Sequence, residues 1–179
     1  MSEKADLRRR IKAALGCLPD QVRSHASASL RRQFQALPVF RKAPVVAIFH
    51  PTGTEPDLLP LLALPNKTFL FPLCHADRSL TWHRPDRLQS WRPSGYGILE
   101  PDPALDPPVP VSDIDLVIVP GLAFTIHGDR LGHGAGFYDR FLATLPHELA
   151  TVGICFTCQI FPYLPVEVHD VRVSQVLHA

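Results

Sequence analysis

The residues best suited to chemistry lie in one stretch, Pro120 to Leu142. Within it Gly128, Gly132, Gly134 and Gly136 cluster around Arg130, and the stretch runs on into Phe137, Tyr138 and Asp139. An apolar run, Leu116–Val119, leads in, and a helical spacing of Phe137, Phe141, Leu142 and Leu145 leads out. Strand, glycine loop and helix start form an anion cradle. Glycines let backbone N–H groups approach closely, and a helix N-terminus adds partial positive charge. Arg130 supplies a permanent, forked cation. A carboxylate at Asp139 could hold Mg²⁺ already bound to phosphates, because Mg²⁺ prefers oxygen ligands and keeps waters. Asp170 could join it only where the fold brings the two together. Asp139 could instead be a helix-dipole partner, worth about 0.3–1 kcal/mol.

The loop fits neither common phosphate fingerprint. A Gly-Lys-Ser/Thr ending is absent, and the spacing is G-x-G-x-G rather than G-x-G-x-x-G. The histidines show no metal-ligand spacing, although His133, within the loop, could touch a ligand. No Ser-His-Asp or Cys-His arrangement stands out. Cys155 and Cys158 have CxxC spacing without a second pair of ligands, so Cys155 reads as a small buried apolar residue. The expected chemistry is phosphoryl handling by positioning and charge neutralisation. Two further places could serve it. Lys4 and Arg8 share a helical face and form either a solvated basic stripe or a clamp on polyphosphate. Glu55 follows a strand-like run, where ligands of open α/β sheets sit, and could equally cap the helix expected at Leu58–Leu64.

The elements that must position these groups follow from periodicity. Ser2 to Gly16 reads as a capped helix with Leu7, Ile11, Ala14 and Leu15 on one face. A second helix after Pro19 places Val22, Ala26, Leu30 and Phe34 four apart. Val45–Phe49, Thr68–Phe71, Leu116–Val119 and Val152–Phe156 are apolar runs typical of strands buried on both faces. Leu80–Trp82 and Ile98–Leu99 are shorter candidates, and 172–177 reads as an edge strand. Five prolines between Pro101 and Pro110 suggest an extended surface connection. The alternation predicts an α/β class, a three-layer sandwich with a mostly parallel sheet. One domain over 1–179 is expected, its first 37 residues a helical pair packed on the α/β body.

Composition sets the outer bounds. The chain has 179 residues, 46% hydrophobic and 20% charged, enough for a sizeable core. No apolar run could span a bilayer and no secretory signal is evident, so the cytoplasm is expected. A monomer is expected as well. Residues 1–42 hold ten Lys/Arg against three acids. Such a basic start can meet nucleic acid or an anionic ligand, but it lacks interleaved aromatics, which argues against nucleic acid.

The motif from Pro120 through Gly128-x-Arg130-Leu131-Gly132-x-Gly134-x-Gly136 to Tyr138-Asp139-Arg140 closely resembles the signature of the 5-formyltetrahydrofolate cyclo-ligase, or methenyltetrahydrofolate synthetase, family. The resemblance spans nearly the whole chain, with Lys4-x-x-x-Arg8, the Glu55 loop, Gly97-Ile-Leu-Glu100-Pro101 and Pro165-x-x-x-His-Asp170 in the family's order. It implies a fold similar to sugar-phosphate isomerases and coenzyme A transferases. It also implies conversion of 5-formyltetrahydrofolate and ATP, with Mg²⁺, to 5,10-methenyltetrahydrofolate, ADP and phosphate through a phosphorylated formyl group.

Carried over onto these positions, Lys4, Arg8 and the run Gly128, Asp129, Arg130, Leu131, Gly132, His133, Gly134, Ala135 and Gly136 match the family's ATP contacts. Glu55 matches the acid anchoring the pterin, with Trp82 and Phe137 on the folate side. Tyr138 matches a substrate-side aromatic and, with Arg130, is expected to act in catalysis. Asp139 and Asp170 match the magnesium acids. Four departures stand out: His133 for Tyr or Arg, Ala135 for Gly, Phe137 for Tyr, and Thr125 for Asp. The alternative is a non-catalytic folate-, nucleotide- or RNA-binding relative of the same fold.

Overall fold

Ser2 starts the first helix: its hydroxyl accepts from the Ala5 N–H at 3.3 Å, and α1 runs Glu3–Gly16. In this computed structural model, which describes residues 2–85, 90–94 and 98–179, α2 (Asp20–Ala36) and α3 (Pro38–Lys42) follow. The strands are β1 (Val45–Ala47), β2 (Thr68–Cys74), β3 (Leu80–His83), β4 (Trp91–Pro93), β5 (Leu99–Pro101), β6 (Pro108–Val109) and β7 (Leu116–Val119). After them come β8 (Ala123–Phe124), β9 (Arg130–Leu131), α4 (Phe137–Leu142), β10 (Ala150–Cys155) and β11 (Gln175–His178).

Seven strands form the main sheet in the order β11-β10-β7-β1-β2-β3-β6. The pairs from β11 to β2 are parallel, and β3 pairs antiparallel with both β2 and β6. The buried apolar runs explain this, because each central strand is covered on both faces. Val46, Ile48, Phe69, Phe71, Leu116, Ile118, Val152 and Ile154 face one way, onto Leu30 and Phe34 of α2 and Phe40 of α3. Ala47, Leu70, Val117, Val119 and Cys155 face the other way, toward Phe141 and Leu142 of α4. The result is the expected α/β arrangement with a mostly parallel sheet between helical layers.

The two N-terminal helices touch, Ala26 of α2 packing on the α1 cluster, but their buried faces serve different parts of the core. Leu30 and Phe34 of α2 join the first face, whereas Ile11 and Leu15 of α1 pack with Leu122, Leu131, Phe156 and Leu164 beyond the strand ends. Val22, expected inward, is half exposed, since it lies in the first turn of α2, about two turns before Leu30 meets the sheet.

Three local expectations change. Leu59–Ala63 is a 3₁₀ helix, with Pro60 inside its first turn, rather than an α-helix. The proline-rich stretch is more than a surface connection: Pro108 and Val109 form an edge strand, where a proline's missing N–H does no harm. After β7 comes a hairpin, β8–β9, that takes in the first part of the glycine motif and that the single strand-loop-helix reading did not contain. Gly97, part of the expected Gly97–Pro101 motif, lies outside the described residues.

Cys155 is fully buried on β10, and burial, then its neighbour Cys158, pushes its thiol up to about 12. All four cysteines are free, consistent with a packing role for Cys155. No helix among the described residues is long and apolar enough to cross a membrane.

Candidate active site

The chain crosses from β1 to β2 on one side and reaches β7 on the other, so a crevice opens between the carboxyl ends of β1 and β7. Such switch points are where open α/β sheets hold ligands. The loop after β1 carries Glu55, and the segment after β7 carries the hairpin and glycines. The two meet there: His133 Nε2 lies 3.6 Å from Glu55 Oε1. Glu55 is held by the Thr52 N–H at 3.0 Å and the Thr52 hydroxyl at 2.9 Å, both donating to Oε2. Buried Gln159 fixes the segment after β7, its amide donating to the Gly121 and Leu122 carbonyls at 3.0 and 3.1 Å.

Beside this crevice lies a cavity of about 690 Å³ lined by Lys4, Arg8, Arg130, Gly132, Gly134, Ala135, Gly136, Asp139 and Asp170, among others. Residues 166 positions apart thus share one wall. Lys4 Nζ donates to Asp170 Oδ2 at 2.6 Å and lies 3.3 Å from Glu167. Arg8 Nε donates to the Gly132 carbonyl at 2.8 Å, which ties α1 to the loop. Arg130, its side chain 3% exposed, donates to Asp139 Oδ1 at 2.5 Å. A Cβ on Gly132 would stand 2.7 Å from the Arg130 guanidinium, so that glycine makes room for the cation. Ala135, where the family often has glycine, is not among the positive-φ residues, so its methyl carries no backbone strain.

Asp170 illustrates how these charges set one another. Burial alone would raise its pKa, but hydrogen bonds from Lys4 and the Glu167 N–H, and then the Lys4 charge, hold it below its ordinary value of 3.8. A depressed folded-state value means that the contact stabilises the fold above pH 3.8 and that this contribution is lost as pH falls through the lower folded value. Docking of α1 is therefore expected to loosen only below about pH 4. Amide exchange in α1 as pH is lowered checks this. Loosening that begins near neutrality would contradict it.

Tyr138, next to Asp139 on α4, packs against the second core face. Burial, and then the charges of Glu55 and Cys74, push its pKa far up, so it is a neutral phenol, and its buried hydroxyl has no partner among the described residues. Trp82, expected on the folate side, is 1% exposed and packs under Tyr138 and Phe141 at ring separations of 6.5 and 5.1 Å. It backs the wall rather than forming it, because β3 is covered there by α4. Trp91 is partly buried against the first core face, edge-on to Phe71 at 4.8 Å and to His50 at 5.3 Å.

Gly128 and Asp129 also sit elsewhere than expected. They form the β8–β9 turn, outside the cavity lining. Thr125, in place of the common Asp, donates its hydroxyl to Asp129 at 3.0 Å and receives the Asp129 N–H at 3.1 Å, closing that turn. Asp129 also accepts from Arg172 at 2.5 Å. His133 is exposed and faces Glu55 instead of the cavity. Phe137 packs its ring against the second core face. The sequence reading missed Arg78, Arg140, Glu167 and His169, all lining the cavity. Arg140 was visible in the glycine motif itself, whereas nothing local showed where the turn bearing Arg78 would point.

A model of the 5-formyltetrahydrofolate cyclo-ligase family matches residues 1–179. The chain belongs to that family. The 5-formyltetrahydrofolate cyclo-ligase of Mycolicibacterium smegmatis is 31% identical, over 97% of this chain and 92% of that protein. The Escherichia coli K12 enzyme is also 31% identical, over 89% and 90%. The solution structure of Aquifex aeolicus 5,10-methenyltetrahydrofolate synthetase superposes with a TM-score of 0.86 at 29% identity, covering 99% of this chain and 90% of that one. The cyclo-ligases are ligases, and this cyclo-ligase chain keeps the seven-stranded, mostly parallel α/β fold.

Two acids in the cavity, Asp139 and Asp170, are those expected to serve magnesium. Each now neutralises a cation, and no group of three or more His, Cys, Asp or Glu able to hold a metal occurs among the described residues. That donor set suits an ion carried in by phosphates and waters, touching one or two carboxylates, better than a resident metal in a protein cage.

Proposed function

We propose that the chain closes the ring of 5-formyltetrahydrofolate with ATP, giving 5,10-methenyltetrahydrofolate, ADP and phosphate. The observation that carries this reading is the convergence of Lys4, Arg8, Arg130 and the glycine loop on one cavity that adjoins Glu55 and Tyr138. The phosphates of ATP lie among Lys4, Arg8, Arg130 and the backbone of 132–136. The pterin lies on the Glu55 side, where the carboxylate accepts N–H bonds from the ring. Asp139 and Asp170 would hold a magnesium ion brought in on the phosphates, which would supply charge neutralisation there.

The order of steps follows from leaving-group chemistry. The formyl oxygen attacks the γ-phosphorus and ADP departs, leaving an imino phosphate at nitrogen 5. Nitrogen 10 then attacks the former formyl carbon and loses its proton. The C–O bond breaks and phosphate departs with the original formyl oxygen. Arg130 stabilises the phosphoryl group in flight, and the Tyr138 phenol, a neutral donor, orients the formyl oxygen. Substrate labelled with ¹⁸O in the formyl group tests this route. The label is expected in the released phosphate; label appearing only in water or formate would contradict it.

Glu55→Gln removes the charge that faces the pterin and leaves the phosphate cavity intact. KM for the folate is expected to rise about 10- to 100-fold, with KM for ATP within twofold, as for loss of a charged hydrogen bond. Steady-state kinetics with each substrate varied in turn checks this. An equal rise in both KM values would sink the pterin role.

A further inference from the structure

The cavity holds five cations, Lys4, Arg8, Arg78, Arg130 and Arg140, against the carboxylates Asp139, Glu167 and Asp170. Those acids are already committed. Asp170 and Glu167 answer Lys4, and Asp139 answers Arg130. The guanidinium groups of Arg78 and Arg140 have no hydrogen-bond or ion-pair partner among the described residues, and Arg8 meets only a carbonyl. An incoming polyphosphate brings several negative charges and is best met by cations that are not already neutralised.

Arg78 has a second peculiarity. It is the positive-φ residue, at +67°, among the described non-glycine residues. It sits in the turn joining β2 to β3. That turn is locked: the Arg78 N–H donates to the His75 carbonyl at 2.9 Å, the His75 N–H to Ser79 at 3.1 Å, and Asp77 accepts from the Ser79 N–H and hydroxyl at 2.9 and 2.6 Å. A left-handed backbone is disfavoured for a side chain of this size, where glycine or asparagine would sit easily. This turn nevertheless presents an arginine, and Arg78 is the cavity-lining residue that the β2–β3 hairpin supplies.

We infer that Arg78, with Arg140 on α4, forms a second cationic wall that binds the phosphate chain of the nucleotide. A planar guanidinium suits this role, since it forks onto phosphate oxygens and keeps its charge. Lys4 and Arg130 meet the phosphates from positions fixed by their ion pairs, while Arg78 and Arg140 add charge that no carboxylate already answers. This inference rests on the cavity being the ATP site.

The test replaces Arg78 with glycine, which relaxes the turn while removing the cation, and with lysine, which keeps a charge. KM for ATP and for 5-formyltetrahydrofolate is measured, with inhibition by inorganic tripolyphosphate and by adenosine. Arg78→Gly is expected to raise KM for ATP about tenfold and to weaken tripolyphosphate inhibition by a like factor, the loss of one charge-assisted contact. KM for the folate and adenosine inhibition stay within twofold, and Arg78→Lys recovers part of the loss. An unchanged KM for ATP overturns the inference, as does a rise in both KM values alike. Weakened adenosine inhibition with tripolyphosphate unaffected also overturns it, by placing Arg78 on the base. If the parent protein itself shows no ATP-dependent turnover, the reading of the cavity fails instead.

Discussion

Arg130→Ala is expected to lower kcat by about 100- to 1,000-fold, the usual cost of removing one preorganised donor from a transition state. Three features give Arg130 this weight. Its guanidinium is buried, so its interactions are screened little by solvent. Asp139 holds it from one side, and the bare Cα of Gly132 leaves space on the other. Its Nε is buried without a partner among the described residues, which leaves a donor for a ligand to satisfy. The change also strands Asp139, so some stability is lost along with activity, since breaking a buried pair is costly. Arg130→Lys separates the two effects, because it keeps a charge near Asp139 but lacks the fork. The expected order of kcat is parent, lysine, alanine, with circular dichroism unchanged for the lysine variant. A folded alanine variant turning over within threefold of the parent would show that the loop does not handle phosphate.

Gly128→Ala is expected to destabilise the fold by about 3 kcal/mol, with little change in KM for either substrate in the protein that remains folded. Two penalties combine at this position. Its φ is +92°, a left-handed conformation that side chains resist, and a Cβ there would stand 2.2 Å from the Val173 carbonyl. The Gly128 carbonyl also accepts from the Val173 N–H at 3.0 Å, so neither backbone can withdraw cheaply. Urea denaturation followed by fluorescence measures the loss. A variant as stable as the parent but with a raised KM for ATP would return Gly128 to the phosphate site.

Gly128 and Arg130 show what was legible in the chain. The motif from Gly128 to Gly136 looked like one loop with one purpose. Periodicity could not show that Arg130–Leu131 pairs with Ala123–Phe124. That hairpin splits the motif into a structural turn at Gly128 and Asp129 and a cavity wall at Gly132 to Gly136. The central strands were readable because burial on both faces writes unbroken apolar runs, as in Leu116–Val119. Edge strands such as Pro108–Val109 and Trp91–Pro93 carry no such run; pairing alone defines them. Lys4, Arg8, Glu55, Asp139 and Asp170 were nameable from motif order, but their meeting depends on crossovers that local sequence does not encode. The Trp82 placement turned on which face of β3 is covered by α4, a tertiary fact. Arg78 left no signal, since a polar turn between two strands reads the same whichever way it points.

The central claim is that this cavity couples ATP to ring closure. The most direct measurement follows absorbance in the methenyltetrahydrofolate band, with purified protein, 5-formyltetrahydrofolate and Mg²⁺, before and after ATP is added. The account predicts a flat baseline, a rise that begins with ATP, and ADP formed in equal amount to the methenyl product. A rise without ATP, or no rise with it from a folded protein that still binds both ligands, would contradict it.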